Sequence, residues 1–443
     1  MAISLRKTAV QILTNVEKNG AYINIEMNKL RSNELYSEQD IRLIGEIVNG
    51  TIKRKITLDY VISLHSSTKL NKIAPFVLNV LRIGVYQILF MDKIPDSAAV
   101  NESVNIVKKS SVYRLSGYVN AVLRAVTEKD IKNLPNDTLK SISVKYSYPE
   151  WLVKRWIEEF GTEFACELMK SLNERSSLYI RCNTIVNSIS QFKNALTDAG
   201  VNYEQVKIPG VTNYNYSFRI NSVKTINLIP GLNEGAFYIQ DPAAALAAYV
   251  LDPQKGNTII DLCAAPGGKS LFIADLIDNS GKIISCDIYE HKIKLIEENA
   301  KKYKALSIVP TINDALKLRE EWINTADRVL CDVPCTGFGI IRKKPDIKYS
   351  RKEEDISILA KMGRSILENA SLYLKCGGIL VYSTCTIEKE ENEDVINSFL
   401  ESHPEFSIYP FTDDNTSGFY TAYPNKTDTD GFFVCRLKKN GVN

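Results

Sequence analysis

The ten residues from Asp261 to Ser270, DLCAAPGGKS, restrict the fold of this chain more than any other stretch. Thr258-Ile259-Ile260 lead into them as a short β-branched run, which reads as a buried parallel strand ending at Asp261. The chain must then turn within Ala264-Ala265-Pro266-Gly267-Gly268 and enter a helix, predicted amphipathic, with Leu271, Phe272, Ala274 and Leu276 on its apolar face. Strand, glycine turn and helix N-terminus in that order make a nucleotide pocket. Glycine lets a ligand approach the backbone, and amides left unpaired at the helix start face it.

Small departures from known patterns decide which nucleotide. A phosphate-binding P-loop needs glycine five residues before Gly268, and Cys263 stands there, so the GKS ending does not complete that motif. No GxGxxG dinucleotide fingerprint occurs here either. The next strand, Lys282 to Cys286, instead closes on Asp287, roughly 20 to 30 residues past the first turn, where a carboxylate accepts hydrogen bonds from ribose hydroxyls. Turn and acid together suit an adenosine carried without a triphosphate, such as S-adenosyl-L-methionine.

At 443 residues the chain has room for roughly three domains of about 150 residues each, and a 44% hydrophobic content suffices for full cores. Its first twenty residues lack an apolar signal core, and its longest mild apolar run, Ala243 to Leu251, is too short to cross a bilayer, so no membrane partner is expected. Nine cysteines without framework spacing point to a reducing cytoplasm. His65, His291 and His403 are far apart and no CxxC occurs, which argues against a metal site. Charge is unevenly distributed. Residues 1–140 carry 20 Lys+Arg against 13 Asp+Glu, a net of +7, whereas the remainder carries a net of −4. A basic module beside an enzyme-like one favours a polyanionic partner such as nucleic acid, with a solvated lysine-rich helical surface as the alternative.

The N-terminal third reads as helical throughout. Leu5, Ala9, Ile12, Leu13 and Val16 share one helical face, and Phe76, Val77, Val80, Leu81, Val85, Ile88 and Leu89 form a longer apolar helix. Ser37 before Asp40 and Ser97 near Glu102 look like helix starts. The breaker cluster Asn133-Leu134-Pro135-Asn136-Asp137 closes an all-α bundle over 1–135. The order LRIGVYQILFMDKIPDSAAVNESVNIVKK, then GYVNAVLRAV, resembles the NusB-type RNA-binding domain.

A helix from Tyr148 through Phe160, tolerating Pro149 in its first turn, opens a small α+β module over 145–232. That module holds a strand at 178–181, a helix at 188–199 and further strands through Phe218 to Ile220; Arg181 and Asn183 there are either contacts to RNA backbone or strand-edge surface. Over 235–440 strands and helices alternate as a doubly wound, Rossmann-like α/β sheet requires, with strands at 258–261, 282–286, 307–312, 327–331, 378–383 and 432–437. A helix from Arg351 to Leu374 ends at Gly377-Gly378. Asp261, Asp287, Asp314, Asp332 and Cys385 then all follow the carboxyl end of a strand, the edge where open α/β sheets bind ligands. Asp314 is placed to meet an adenine amino group, with a helix cap as its bland alternative.

Two of these strand ends deliver a cysteine: CDVPCTG (Cys331 to Gly337) and YSTCT (Tyr382 to Thr386). Methylating carbon 5 of a pyrimidine demands such equipment, because that carbon is a poor nucleophile until a thiolate adds to carbon 6. A base must later remove the carbon-5 proton so that the thiolate can leave, and an acid beside the ring nitrogen, for which Asp332 is placed, stabilises the charge that builds there. Cys335 and Cys385 lie in polar, turn-forming sequence, Cys335 behind Pro334. Cys166, Cys182, Cys286, Cys331, Cys376 and Cys435 read instead as small buried hydrophobes.

DLCAAPGGKS, CDI, NDA, CDVPCTG, the RKKPDIKY loop (Arg342 to Tyr349) and YSTCT, behind a NusB-like domain, resemble the Sun/RsmB family of 16S rRNA cytosine-C5 methyltransferases over nearly the whole chain. The resemblance implies that Cys263, Ala264, Ala265, Pro266, Gly267, Gly268 and Lys269, with Asp287, Asp314 and Asp332, bind S-adenosyl-L-methionine. It further implies that Cys385 is the nucleophile, that Cys335 assists product release, and that the target is one 16S rRNA cytosine, position 967. Departures are Tyr148, where relatives often have His, and Arg342-Lys343-Lys344-Pro345, where a double arginine is common. A cytosine in another rRNA or tRNA, and a non-enzymatic NusB-like factor, are the alternatives; the latter predicts loss of a cysteine or of Asp332, and all three are present. A monomer is expected.

Overall fold

A computed structural model of the protein describes residues 4–19, 23–31, 33, 35–222, 226–413 and 416–441. They form two compact units, Met1–Asn173 with Lys343–Ser350, and Glu174–Arg342 with Arg351–Asn443.

The first unit is built on the helix Pro75–Phe90. Its residues are buried almost all round, so Val77, Val80, Leu81, Ile83 and Val85 pack against Ile44, Ile47, Val48, Leu58 and Val61 from the helices Glu38–Lys53 and Lys55–His65. The one charge inside this apolar helix is paired: Arg82 holds Asp59 at 2.6 and 2.8 Å and Glu17 at 2.6 Å. Ser37 makes the predicted capping box with Asp40. Ser97 does not cap. Pro95 occupies the cap position of Asp96–Lys108, and its fixed φ starts the helix without a side-chain bond. The unit extends past the breaker cluster at 133–137, because the helices Thr138–Tyr146, Glu150–Phe160 and Thr162–Asn173 pack in it as well. Most of the RKKPDIKY loop also lies here. Lys348, fully buried, donates to Lys53 O, Ser147 O and Asn173 Oδ1 and sits 4.1 Å from the Tyr148 ring. No carboxylate is among those partners, and burial pushes its ammonium well below the ordinary lysine value.

The second unit carries two sheets. The smaller contains β1 (Leu178–Cys182), β2 (Asn202–Gln205), β3 (Ser217–Ser222) and β4 (Phe237–Ile239) in the order β2-β3-β1-β4. β4 comes from sequence assigned to the catalytic domain. Its Phe237 pairs with Cys182 and packs 6.0 Å from Phe192, which draws the strand into the smaller module's core. The larger sheet runs β10-β12-β9-β8-β5-β6-β7, with β11 on β12. Here β5 is Thr258–Asp261, β6 Lys282–Asp287, β7 Ile308–Ile312, β8 Ala326–Asp332 and β9 Leu374–Thr384. β10 (Phe406–Ile408), β11 (Phe419–Ala422) and β12 (Phe432–Lys439) complete it. β5 to β9 are parallel, whereas β12 runs antiparallel to β9, so the sheet is mixed. The long helix ends at Tyr373, earlier than the paired glycines suggest, because Leu374 already pairs with Ala326 as β9 begins.

Two further expectations are corrected. The helix Gly268–Leu276 is buried on nearly every side: Tyr214 and Tyr216 pack edge-on against Phe272 on the expected apolar face, and Ser270, Ile273 and Asp275, outside that face, are buried as well. Arg181 and Asn183 are neither RNA contacts nor edge surface, being 1% and 2% exposed. Arg181 pairs with Asp275, donates to Gln240 and lies 4.4 Å from the Phe272 ring, while Asn183 donates to Gly235 O and Tyr303 O. Burial raises the Asp275 carboxyl to about 6 even against the guanidinium. Arg181→Met strands that carboxylate and is expected to destabilise the protein by about 3 kcal/mol. Urea titration checks this, and adding Asp275→Asn should recover part of the loss; an unchanged midpoint for Arg181→Met would show that the pair does not hold the module.

Candidate active site

Parallel pairing aligns the strand ends. Asp261 lies opposite Ser285 and Leu330, Asp287 opposite Ile312, and Asp332 opposite Ser383, so the five parallel strands finish on one rim. After β5 the chain turns tightly through a cis Ala265-Pro266 bond. The Ala264 N–H donates to Cys286 O, the Gly267 N–H to Ala264 O, and Asn299 Nδ2 to Pro266 O. Two amides expected to face a ligand are therefore spent inside the loop, and those of the first helical turn remain for that purpose. Gly267 has φ +105°, the left-handed region, and a Cβ on Gly268 would meet the Tyr238 ring at 2.8 Å, so both glycines answer to backbone and packing. Cys263 is half-buried, and burial with Asp261 beside it pushes its thiol up, out of reach of ionisation at neutral pH.

Whether these residues fit an adenosine-bearing methyl donor is tested by two buried atoms. Asp261 Oδ2 accepts from Ser270 Oγ at 2.6 Å, and Ser285 Oγ donates to that hydroxyl at 2.8 Å, yet Asp261 Oδ1 has no partner among the described residues. Burial raises this carboxyl to about 7. At the end of β7, Asn313 Oδ1 accepts from Arg319 Nε, and Asn313 Nδ2 likewise has none. A ligand with an ammonium and a purine supplies the complementary donor and acceptor, so the residues fit. Asp287 closes β6 nearly buried, 3.4 Å from Lys292 Nζ, beside the half-exposed Ile288. Asp314 spends one oxygen on the Leu316 N–H in a turn. Sequence reasoning passed over Asn313, whose only signal was its place beside Asp314.

Lys269 turns toward the cysteines. Its Nζ donates to Asp332 Oδ2 at 2.7 Å and lies 5.3 Å from the Phe432 ring. Burial works against that charge, but Asp332, then Asp261 and the Cys385 sulfur, raise the ammonium above its ordinary value. Ser383 Oγ holds the other Asp332 oxygen at 2.8 Å. Cys335 Sγ and Cys385 Sγ, fifty residues apart in sequence, are 3.2 Å apart. Cys335 is buried and Cys385 half-buried. The hydrogen bond to Cys385, then burial, push the Cys335 thiol well up, and either sulfur can donate in the contact between them. Arg351 fixes the first loop from behind, donating to Thr336 O and Cys335 O.

Among the other thiols, Cys182, Cys286, Cys331 and Cys435 are buried as expected, Cys166 is half-buried, and Cys376 is exposed. Its position at the start of β9, before Gly377 with φ +77°, leaves it near Asn440 O at the sheet's margin. Among the described residues no three His, Cys, Asp or Glu side chains gather as metal ligands would, and no helix is long and apolar enough to cross a membrane.

A mixed α/β sheet whose rim carries buried, unpartnered polar atoms beside a thiol pair fits the class of S-adenosylmethionine-dependent methyltransferases. Family models agree: 16S rRNA methyltransferase RsmB/F matches residues 248–438, the NusB family 4–128, and the RsmF/B-like ferredoxin-like domain 148–210. The chain is 34% identical to a probable ribosomal RNA small subunit methyltransferase B of Bacillus subtilis, over 99% of each chain. It is 30% identical to one from Synechocystis, over 99% of this chain and 100% of that one. The crystal structure of PH0851 superposes with a TM-score of 0.81 at 27% identity, covering 99% of this chain and 100% of that chain. The chain belongs to the RsmB/F family of 16S rRNA methyltransferases, and its methyl donor is S-adenosylmethionine.

Proposed function

We propose that the protein methylates carbon 5 of a cytosine in 16S rRNA through a covalent bond between the base and Cys385. The observation that carries this reading is the 3.2 Å separation of the Cys335 and Cys385 sulfurs, on the rim that holds Asp332 and the cofactor turn. A single thiol could be a small hydrophobe; two from separate loops in contact, beside an ion pair, are the parts that C5 chemistry needs.

In this reading the Cys385 thiolate attacks carbon 6, and the electron pair displaced from the C5–C6 bond makes carbon 5 nucleophilic. The Lys269–Asp332 pair carries the proton that meets the charge on the ring nitrogen, with Ser383 fixing the carboxylate. S-adenosylmethionine, held by the turn at 263–269 with Asp287 and Asp314, supplies an electrophilic methyl group when bound. Cys335 then finishes the cycle. Once the Cys385 sulfur is bonded to carbon, the largest influence raising the Cys335 thiol is weakened, and in this reading Cys335 releases its proton to solvent. Its thiolate takes the carbon-5 proton, and the electrons return to the ring as the S–C6 bond breaks.

The basic N-terminal third and its match to the NusB family support an RNA substrate. Bisulfite sequencing of rRNA from a strain lacking the gene is the test. One 16S cytosine protected in the parent, at the family's position, should read as unmodified in the deletion. Unchanged 16S rRNA together with loss of a methylcytosine in another rRNA or in tRNA would move the substrate, and no change in any RNA would end the reading.

A further inference from the structure

Beneath the two cysteines lies a buried polar bracket that the mechanism above does not use. Glu391, 1% exposed, ends a short 3₁₀ turn before the helix Glu393–Ser402. Its Oε1 accepts the Thr336 N–H at 2.8 Å, its Oε2 accepts the Thr336 hydroxyl at 2.5 Å, and its carbonyl oxygen accepts the Tyr382 hydroxyl at 2.8 Å. Thr336 Oγ1 in turn meets Thr386 Oγ1 at 2.8 Å. The next residue, Asn392, is fully buried; it accepts from Thr384 Oγ1 at 2.6 Å and donates to Thr386 O at 3.2 Å. Thr336 follows Cys335 and Thr386 follows Cys385, so one dipeptide ties both cysteine loops together one residue away from each sulfur.

We propose that Glu391, supported by Asn392, is a positioning residue that holds the Cys335 and Cys385 sulfurs in contact. The proposal rests on the reading of these cysteines as the reacting pair. A buried carboxylate is costly without a cation, and the donors that the Glu391 carboxylate accepts from, the Thr336 N–H and hydroxyl, are neutral. Packing alone would place an apolar side chain here. The carboxylate answers two needs, an acceptor for two Thr336 donors and a negative charge beside the Cys335 thiol. The groups acting on that thiol are Cys385, Glu391 and Asp332, all disfavouring its thiolate, while Glu388 acts on Glu391 itself. Burial raises Glu391 to about 7, against the pull of the Thr336 donors.

The test uses the full-length protein without RNA for two of its readouts. Diamide oxidises the two thiols to a disulfide, taking up two electrons and two protons, and peptide mass spectrometry follows the 335–385 cross-link. Glu391→Ala should slow that cross-link at least about tenfold and lower kcat about 100-fold at unchanged KM for RNA, since a displacement of about 1 Å costs that much. Glu391→Gln keeps one acceptor and removes the charge. It should cross-link within about threefold of the parent and lower the pH midpoint for alkylation of Cys335 by iodoacetamide, because thiolate formation no longer meets a buried carboxylate.

Cross-linking of Glu391→Ala at the parental rate, or an unshifted Cys335 midpoint in Glu391→Gln, overturns the proposal. Should Glu391→Ala fail to fold by circular dichroism, the Glu391→Gln midpoint decides alone. Slower cross-linking with an unchanged kcat would support the bracket and sink the reading of the cysteines, so the two failures are distinguishable.

Discussion

Replacing Cys385 with alanine is expected to lower methyl transfer to rRNA by a factor on the order of 10⁴ to 10⁶, the scale of losing a covalent nucleophile, while S-adenosylmethionine binding stays at the parental affinity. Of the two sulfurs in contact, Cys385 is the more exposed and Cys335 the more buried. The hydrogen bond to Cys385, then burial, push the Cys335 thiol well up, which disfavours it as the attacking thiolate. Cys385 is therefore the sulfur more open to an incoming base. Alanine there removes the attacking atom but no hydrogen-bond partner of the turn at 263–269, whose bonds run to Cys286, Asn299 and Asp332. Transfer of labelled methyl groups to unmodified 16S rRNA, with calorimetric titration of the cofactor, measures both halves. Substantial residual transfer by Cys385→Ala would remove it from the chemistry.

Replacing Cys335 with alanine is expected to have the opposite character: the reaction starts and does not finish. If this thiol removes the carbon-5 proton, its loss leaves the base bonded to Cys385, and the protein should accumulate on RNA as a complex that survives denaturing electrophoresis. The neighbouring carboxylates do not replace it in this reading. Asp332 is engaged by Lys269 and Ser383, and both oxygens of Glu391 are engaged by Thr336. The Cys335→Ala, Cys385→Ala double variant should form no such complex. Retarded RNA with Cys385→Ala and none with Cys335→Ala would exchange the two roles.

Much of this was legible in the residues themselves. A strand, a glycine turn and a helix start announce themselves over ten consecutive residues, and β-branched runs mark the parallel strands, because the physics behind both signals is local. The helix Pro75–Phe90 and the Ser37 capping box were legible for the same reason. What escaped was set by distant partners. β10 and β11 are three and four residues long, too short for a period, and exist because β12 offers an edge to pair with. Arg181 reads as a candidate for RNA until Asp275, ninety-four residues later, is seen to take its charge. Ser97 reads as a cap until Pro95 is found in that position. Glu391 and Asn392 lie in an acidic run, EKEENED, that looks solvent-exposed; only the approach of the Thr336 loop makes two of its members buried acceptors.

By itself the sequence determined the kinds of groups available, two cysteines and several acids each at the end of a strand, and the glycine turn that starts the sheet. The order of strands across the sheet was decided in three dimensions, and with it the 3.2 Å contact between sulfurs fifty residues apart. Local preference acts over a few residues of chain, whereas the proximity of two loops, and the protonation of the thiols they carry, depend on burial and on charges that only the folded chain brings together.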